Sequence, residues 1–342
     1  MASLQKLMST TKAFLFFALT LLSLSGCDCN KTKPPVNAPP DKPVATVTPP
    51  DFNADSAYVS TQTQVDFGPR IPGTPAQTKC AAYFERFFKR LTPNVVVQDV
   101  SVPIYNGKQV PCKNIIASFN PENPKRILLF AHWDTRPFAD RDSAHMDAKF
   151  DGADDGAAAS AILMEIARLL KDKPANVGID IALFDVEDYG PPSDEPKWDE
   201  KDQYALGTQY WCKHPHVPNY RAYYGVLLDM AAAKNARFLI EGVTQQYAPS
   251  VAQQIWNTAS SLGYGNFFIN EFANPIIDDH YYVNTMNGTP CVDIIYLDKS
   301  SATGFAPHWH TTLDNMNIVS RETMKAVGQT LLQVIYNEQP QG

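Results

Sequence analysis

Apolar runs of strand length, most of them ending at or just before an acidic or imidazole side chain, constrain the fold of this 342-residue chain most strongly. Three of these runs span residues 126–132, 178–184 and 223–228, and each contains few polar residues. Such runs are typical of buried strands in a largely parallel sheet. Because helical patterns separate them, the sequence predicts an α/β protein, with a three-layer sandwich around one central, mixed and twisted sheet.

The remaining elements follow from the spacing of apolar residues. Five segments show a helical period, namely residues 56–65, 74–91, 156–170, 249–262 and 320–336. Four more are predicted strands: residues 94–104, 114–119, 237–241 and 291–296. Asp155 directly precedes the third helix, so we expect it at the N-cap. No break in composition follows Asp51, which indicates a single catalytic α/β domain over residues 51–342.

The N-terminal segment is not expected to belong to that domain. A short apolar stretch over residues 13–24 follows Lys6 and Lys12 and precedes Ser25-Gly26-Cys27, which is the pattern of a cleaved signal peptide. Residues 24–27 also resemble the lipobox of bacterial lipoproteins. That resemblance implies removal of residues 1–26 and anchoring through a lipid on Cys27, at the periplasmic side of a membrane. An ordinary signal peptide with an incidental Cys is the alternative.

Composition supports further expectations about the region before the domain, the partners, the cysteines and the oligomeric state. Residues 27–50 are rich in Pro and predict an extended tether. The formal net charge of −7 argues against nucleic-acid binding, which usually needs a basic surface. No Cys-x-x-Cys pair occurs, so we do not expect zinc held by cysteines, and we assign no disulfide. We expect a monomer.

The acidic and imidazole side chains near the strand ends are candidate metal ligands. An α/β sheet gathers the carboxyl ends of its parallel strands along one crevice, so residues distant in sequence meet there. Carboxylates and imidazoles collected at one place suit zinc, and a free Glu beside them can transfer protons. The sequence therefore predicts a zinc enzyme whose site contains His132, Asp155, Glu187, Asp188, Asp229 and His310.

Local patterns suggest a role for some of these groups. Asp134 lies two residues after His132, on the same side of an extended chain, where it can orient the imidazole. Adjacent residues on an extended segment diverge, so Asp188 can bind metal while Glu187 serves as general acid and base. An Asp such as Asp155 at a helix start is most often a cap, but its acidic neighbours make a nearby cation the better explanation. The other histidines, His145, His214, His216 and His308, are not expected to be ligands.

Together these motifs resemble the co-catalytic zinc aminopeptidases. That family carries His-x-Asp, a bridging Asp in Gly-Ala-x-Asp, an acid pair after a buried strand, an Asp after a later strand and a late His-Thr. All five occur here in order, over about residues 55–338. The resemblance implies that Asp155, Asp188 and His310 bind one zinc. In the peptidases, His132 and Asp229 complete a second site with the bridging Asp155.

Other residues are similar to the bacterial, animal-type branch of the zinc-dependent glutaminyl cyclases, which is described as using one zinc. Trp309 precedes His310, Asp278 replaces the Ser of many peptidases, and Trp198 lies in an insertion after the acid pair. The resemblance implies conversion of an N-terminal Gln of peptides and proteins to pyroglutamate, with release of ammonia. Zinc would polarise the γ-amide carbonyl, and Glu187 would carry the proton.

The resemblance also implies roles for four further side chains. Asp229 and Asp278 would share a proton at the substrate, and Trp198 and Trp309 would line its pocket. The three remaining tryptophans, Trp133, Trp211 and Trp256, are expected in the core.

This chain departs from the animal cyclases at two positions. Asp188 stands where the animal enzymes have Glu, and Asp293 where they have His, so the network near Asp278 is expected to differ. A two-zinc aminopeptidase that hydrolyses N-terminal residues is the alternative. A non-catalytic ectodomain on this fold is disfavoured, because every predicted ligand and Glu187 are present.

Overall fold

The computed structural model describes residues 48–196 and 201–340. The signal peptide, the lipobox with Cys27, most of the tether and Trp198 lie outside the described residues. Residues Thr46–Gly342 form one compact unit. None of the described helices is long and apolar enough to cross a membrane.

A mixed sheet of six strands forms the centre of the fold, as predicted. Its strands lie in the order β1-β2-β4-β3-β5-β8. The β1–β2 and β2–β4 pairs are antiparallel, whereas β4–β3, β3–β5 and β5–β8 are parallel. The strands are β1 Val95–Pro103, β2 Gln109–Phe119, β3 Arg126–His132, β4 Gly178–Phe184, β5 Tyr224–Asp229 and β8 Cys291–Ile295.

Helices cover both faces of this sheet. Alternate residues of β3 face opposite ways: Ile127 and Leu129 join one apolar cluster with α1, α2, α3, α6 and α8, while Leu128 and Phe130 join another with α4. This is the predicted three-layer arrangement. The helices are α1 Ala54–Val65, α2 Pro75–Lys89, α3 Ala159–Asp172, α4 Leu206–Lys213, α5 Gly242–Tyr247, α6 Pro249–Ser261, α7 Asp279–Tyr282 and α8 Arg321–Asn337.

The predicted strand at residues 237–241 does not extend the central sheet. It forms β6 (Phe238–Ile240), which pairs in parallel with β7 (Phe268–Phe272), a strand that the sequence analysis missed. Trp256 of α6 holds this small sheet together, because its indole N–H is shared between the carbonyls of Phe238 and Ile269. An isolated bridge joins Phe238 of β6 to Tyr296, the residue after β8.

The start of α3 also differs from the prediction, since Asp155 is not its N-cap. Residues Ala153–Ala158 form a π-helical turn, and α3 begins at Ala159 with no side-chain capping bond. Asp155 and Gly156 have non-helical backbone angles, with φ of +104° at Gly156. A Cβ at Gly156 would lie 2.5 Å from the carbonyl oxygen of Asp134, so only glycine fits this close approach. The distortion turns the Asp155 carboxylate toward β3 instead of toward the helix.

A buried ion pair joins strands at the opposite, amino-terminal end of β3. Arg126 makes two hydrogen bonds to Asp180 of β4, each 2.6 Å long. Ser118 and Tyr220 also donate to the Asp180 carboxylate, which is fully buried. His216 was expected at the surface, but its side chain is 2% exposed and lies 3.7 Å from Asp180. The aromatic neighbours Trp211 and Tyr220 cover it.

Candidate metal centre

The carboxyl ends of three neighbouring strands bring the predicted site residues together. β3 ends in His132 and β5 in Asp229, while the Glu187-Asp188 pair follows β4. His132 Nε2 lies 3.1 Å from an oxygen of Asp155 and 3.1 Å from an oxygen of Asp229. The site therefore forms where parallel strands end in the crevice of the sheet.

His310 completes a second group on the other side of Asp155. His310 Nε2 lies 3.0 Å from Asp188 Oδ1 and 3.8 Å from Asp155 Oδ2. Asp155 thus presents one oxygen to His132 and the other to His310. This is the bridging position that the motif resemblance implies.

The group of Asp155, Asp188 and His310 fits a metal ion. One ligand atom from each lies within 4.8 Å of the others, and all three residues are buried. Asp155 Oδ2 and Asp188 Oδ2 are buried with no hydrogen-bond partner among the described residues. A buried carboxylate oxygen without a partner is costly unless a cation is present. Two carboxylates and one imidazole are a donor set that zinc accepts.

The ligand atoms of His132, Asp155 and Asp229 meet the same criterion. Without a metal, however, His132 is itself a cation. Burial favours its neutral ring, but hydrogen bonds to Asp134, Asp155 and Asp229 outweigh burial and raise the pKa of His132 well above its usual value. Its imidazolium can therefore balance the charge of Asp155 and Asp229.

Asp134 contacts both His132 and the acid pair Glu187-Asp188. Its Oδ1 lies 3.5 Å from His132 Nδ1, within the distance of an ion pair. The same carboxylate accepts the backbone N–H groups of Glu187 at 2.9 Å and Asp188 at 3.2 Å. Val186, just before the pair, has a positive φ of 56°. Asp134 thus holds a sharp turn that sends Glu187 and Asp188 into the site.

Asp314, which the sequence analysis missed, makes the matching contact at Asp155. Its two oxygens accept the N–H groups of Asp154 at 2.8 Å and Asp155 at 3.2 Å. Asp154 in turn contacts His308 Nε2 at 2.9 Å. The acidic cluster around Asp155 predicts a nearby cation. For Asp154 that cation is the imidazole of His308.

Glu187 lies in the wall of the pocket that leads to the metal ligands. Removal from water raises its pKa well above the ordinary value; the charges of Asp188 and Asp278 add to this and that of His132 opposes it. A carboxyl with a raised pKa can take up a proton and release it near neutral pH. The position therefore suits the predicted general acid and base.

Asp229 and Asp278 form a second region with raised pKa values. Burial raises the pKa of Asp229 to about 8; the hydrogen bond with His132 opposes this shift, and the charge of Asp278 adds to it. Burial likewise raises the pKa of Asp278. Two neighbouring buried carboxyls avoid repulsion by retaining a proton.

The surroundings of Asp278 contain Asp293, the acid that stands where the animal cyclases have His, together with His280 and Glu241, to which the sequence analysis assigned no role. His280 Nε2 lies 3.1 Å from Glu241 Oε1, and its Nδ1 lies 3.7 Å from an oxygen of Asp293. Both oxygens of Asp293 lack a hydrogen-bond partner among the described residues. Asp278, His280 and Asp293 are the third group whose ligand atoms lie within 4.8 Å of one another.

A pocket of about 730 Å³ opens onto Glu187, Asp229 and the ligands. Trp309 lines it, and its ring stacks on His310 with centroids 4.0 Å apart and on Phe305 at 4.4 Å. Apolar side chains complete one wall: Ile276, Ile277, Ile295 and Leu297. The other described tryptophans, Trp133, Trp211 and Trp256, are buried in the core, as expected.

The mixed α/β sheet and the carboxylate–imidazole groups at its edge define the fold and the donor set of a metal-dependent enzyme. A sequence model of peptidase family M28 matches residues 114–335, and the chain belongs to this family. The fold and family predicted from the motifs are therefore confirmed.

Solved structures show the same relationship. A Zn-dependent exopeptidase from Parabacteroides distasonis is 48% identical with a TM-score of 0.83, over 84% of this chain and 99% of that one. A glutaminyl cyclase from Tannerella forsythia is also 48% identical with a TM-score of 0.82, over 85% of this chain and 100% of that one. Such relatives imply that the site depends on zinc.

Relatives known from sequence are more distant. The glutaminyl-peptide cyclotransferase of Bothrops jararaca is 24% identical over 294 residues, which cover 77% of this chain and 75% of that protein. The chain spans only 32% and 46% of the length of two Escherichia coli relatives that it matches.

Proposed function

We propose that this protein is a zinc-dependent glutaminyl-peptide cyclotransferase, which converts the N-terminal Gln of peptides and proteins to pyroglutamate and releases ammonia. The observation that carries the proposal is the buried carboxyl of Asp278 beside Asp229. The glutaminyl cyclases from Tannerella forsythia and Bacteroides thetaiotaomicron, at 48% and 43% identity, support it.

Burial, with the charge of Asp278 adding to it, makes Asp229 a poor ligand for a second zinc. Metal ligands must be deprotonated, and a carboxyl with a pKa of about 8 keeps its proton at neutral pH. The imidazolium of His132 already balances the charge on that side of Asp155. The arrangement therefore favours one zinc, held by Asp155, Asp188 and His310.

The reaction needs no water as a nucleophile. The α-amine of the substrate attacks its own γ-amide carbonyl carbon, a C–N bond closes the five-membered ring, and the bond to the amide nitrogen breaks. Zinc bound at the three ligands would polarise that carbonyl and stabilise the negative charge on its oxygen. Glu187 takes a proton from the attacking amine and gives it to the departing nitrogen, which leaves as ammonia.

The other groups of the pocket hold the substrate. One of Asp229 and Asp278 is neutral and can donate a hydrogen bond, while the other is charged and accepts N–H groups of the Gln. The stacked ring of Trp309 offers a flat apolar surface to the side chain amide. Trp198, assigned to the same pocket from the sequence, lies outside the described residues and keeps that role as a proposal.

A two-product assay tests the proposed reaction. The purified protein is incubated with Gln-containing dipeptides, and both ammonia and free amino acids are measured. We expect ammonia without peptide cleavage, and close to one zinc per chain by mass spectrometry. Glu187→Gln is expected to retain zinc and lose turnover, whereas Glu165→Gln, a change on the remote helix α3, leaves turnover unchanged. Full activity of Glu187→Gln would refute the proton transfer.

A two-zinc aminopeptidase is the second candidate, and the complete group of His132, Asp155 and Asp229 favours it. It predicts two zinc ions per chain and release of the N-terminal residue as a free amino acid. The same assay therefore separates the two activities.

We also propose that the chain is an exported bacterial lipoprotein, anchored through Cys27 at the periplasmic side of a membrane. The sequence pattern of residues 13–27 supports this. Metabolic labelling with a fatty acid tests it: the full-length chain is expected to be labelled and the Cys27→Ala variant not. Equal labelling of both would exclude the anchor.

A further inference from the structure

The guanidinium of Arg136 lies beside the metal ligands, and each of its three nitrogens donates a hydrogen bond to a neighbour. Its Nε and Nη2 bind the two oxygens of Asp140 at 2.8 and 2.6 Å. Nη1 donates to the backbone carbonyl of Asp188 at 3.1 Å and lies 3.7 Å from Asp188 Oδ1. Nη2 also donates to the carbonyl of Pro191 at 2.9 Å. The side chain is 2% exposed, so these contacts are shielded from solvent.

The Asp140 carboxylate that binds Arg136 also contacts His310. Its Oδ1 lies 3.6 Å from His310 Nδ1, the ring nitrogen that faces away from Asp155 and Asp188. A metal-binding His usually presents its second nitrogen to a carboxylate, which fixes the ring and its tautomer. The next residue, Arg141, donates its N–H to the carbonyl of His310 at 3.1 Å. That bond supports a backbone with a positive φ of 55° at His310.

The geometry fixes this contact. Asp140 binds the Arg136 guanidinium through both of its oxygens, and its side chain is 3% exposed. Asp140 is therefore held in place beside His310 and shielded from solvent. The backbone N–H of Ser193 is its further donor, at 2.9 Å.

We propose that Arg136 and Asp140 are positioning residues that hold Asp188 and His310 as ligands of one zinc. Arg136 grips the Asp188 loop directly, and through Asp140 it orients His310. The two ligands come from loops 122 residues apart in sequence, and this one ion pair connects them. The inference concerns the metal site, so it holds whichever reaction the enzyme catalyses.

The ion pair between Arg126 and Asp180 provides a matched control. It has the same bidentate geometry and a fully buried carboxylate, with the Arg126 side chain 14% exposed, and it lies at the other end of β3. If breaking a buried ion pair only destabilises the fold, a substitution in either pair lowers the melting temperature. Only a change at Arg136 or Asp140 is expected to alter zinc binding.

The experiment compares Arg136→Lys and Asp140→Asn with Arg126→Lys and Asp180→Asn. The zinc Kd of each folded protein is measured by competition with a chelator, and the visible absorption of the cobalt-substituted protein reports ligand geometry. We expect the first two variants to bind zinc about 10- to 100-fold more weakly and to show a changed cobalt spectrum. The two controls are expected to keep the zinc Kd and the spectrum of the unaltered protein.

Two results would overturn the proposal. One is an unchanged zinc Kd and cobalt spectrum in Arg136→Lys and Asp140→Asn. The other is an equal loss of zinc affinity in the control variants, which would show that general destabilisation is the cause. If Arg136→Lys does not fold, the nearly isosteric Asp140→Asn decides by the same two measurements. Failure here leaves the proposed cyclase untouched, because ammonia release is measured separately.

Discussion

Asp229 Oδ1 lies 3.1 Å from His132 Nε2, so this carboxyl is held by an imidazole while burial and Asp278 favour its neutral form. The two possible activities differ at this contact. As a metal ligand, Asp229 must lose its proton and His132 must be neutral. As a partner of Asp278, it shares a proton and His132 remains charged. We therefore expect Asp278, through its charge beside Asp229, to bias the site toward one zinc ion.

Replacement of Asp278 by Ser, the residue in many peptidases, is expected to free Asp229 from the shared proton and let it act as a metal ligand. Without the second carboxyl, the pKa of Asp229 falls and Asp229 becomes available to a metal. We expect the cyclase kcat to fall by about 10²-fold or more, as when a proton-transfer partner is lost, and zinc content to rise toward two per chain. Ammonia release and mass spectrometry measure both. Undiminished cyclisation by Asp278→Ser would show that the shared proton is not needed.

A strained glycine is expected to be essential to the metal site. Gly156→Ala places a Cβ 2.5 Å from the carbonyl oxygen of Asp134 and 3.2 Å from the ring of His132, at a φ of +104°. Gly263→Ala is a matched control, with φ of +87° and open space around its Cβ. Backbone strain alone costs about 1–3 kcal/mol in each variant. Only Gly156→Ala is expected to lose zinc affinity and additional stability, which chemical denaturation and chelator competition detect.

Equal effects of the two glycine substitutions would contradict this account, because the clash with Asp134 would then have no consequence. The comparison thus separates backbone conformation from the close approach of two chain segments.

The sequence predicted the parts of this molecule that follow from periodicity and strand ends. The bounds of β3 and β4 agree with the predicted residues 126–132 and 178–184, because both runs are apolar almost throughout. His132, Asp229 and the Glu187-Asp188 pair meet because parallel strands end at one edge, whereas Asp155 and His310 reach them from a turn and a loop. Their roles in the reaction remain predictions.

The missed residues lie where no periodic signal exists. Asp314, Asp140 and Arg136 are in loops, and each acts through a contact with a distant segment, such as the amides of residues 154 and 155. A charged residue in a loop is normally solvated, so its sequence context gives no sign that it is buried. β7 was missed because it is short and its apolar residues do not alternate with polar ones: Phe268 is buried, Ile269 is partly buried and Phe272 is exposed.

Trp309 is expected to act in substrate binding and not in stability. It is half-buried in the pocket wall, stacked on His310. Trp309→Ala is expected to raise KM for Gln peptides about tenfold or more, since a stacked aromatic contact of roughly 1 kcal/mol is lost together with apolar contact area. Trp256→Ala, in the core, is expected to cost about 3–5 kcal/mol of stability and leave KM unchanged in folded protein. Steady-state kinetics and thermal unfolding check both. An unchanged KM in Trp309→Ala would place the substrate elsewhere in the pocket.

The stability of the zinc-free protein is expected to fall as the pH rises from about 5 to 8. Burial raises the pKa of Asp314 to about 7 in the folded chain, although His308 opposes this shift, so the folded state retains a proton that the unfolded chain releases near pH 4. Burial opposes protonation of His308, but its hydrogen bond to Asp154 raises its pKa to about 8, above its ordinary value of 6.5. The free energy of unfolding that His308 contributes is complete below pH 6.5 and is lost as the pH passes 8. Both groups bind more protons in the folded state, so both make the free energy of unfolding decrease with rising pH.

Chemical denaturation of the zinc-free protein at several pH values measures this slope. For His308 alone, a shift from 6.5 to about 8 corresponds to roughly 2 kcal/mol. His308→Gln is expected to be less stable at pH 5 and to show a shallower decline. His145→Gln, whose parent side chain is 64% exposed, is expected to retain the full slope. The carboxyls whose pKa is lowered, such as Asp180, lose their contribution only below about pH 4, outside this window. A slope in His308→Gln equal to that of the unaltered protein would mean that the contact between Asp154 and His308 does not stabilise the loop that carries Asp155.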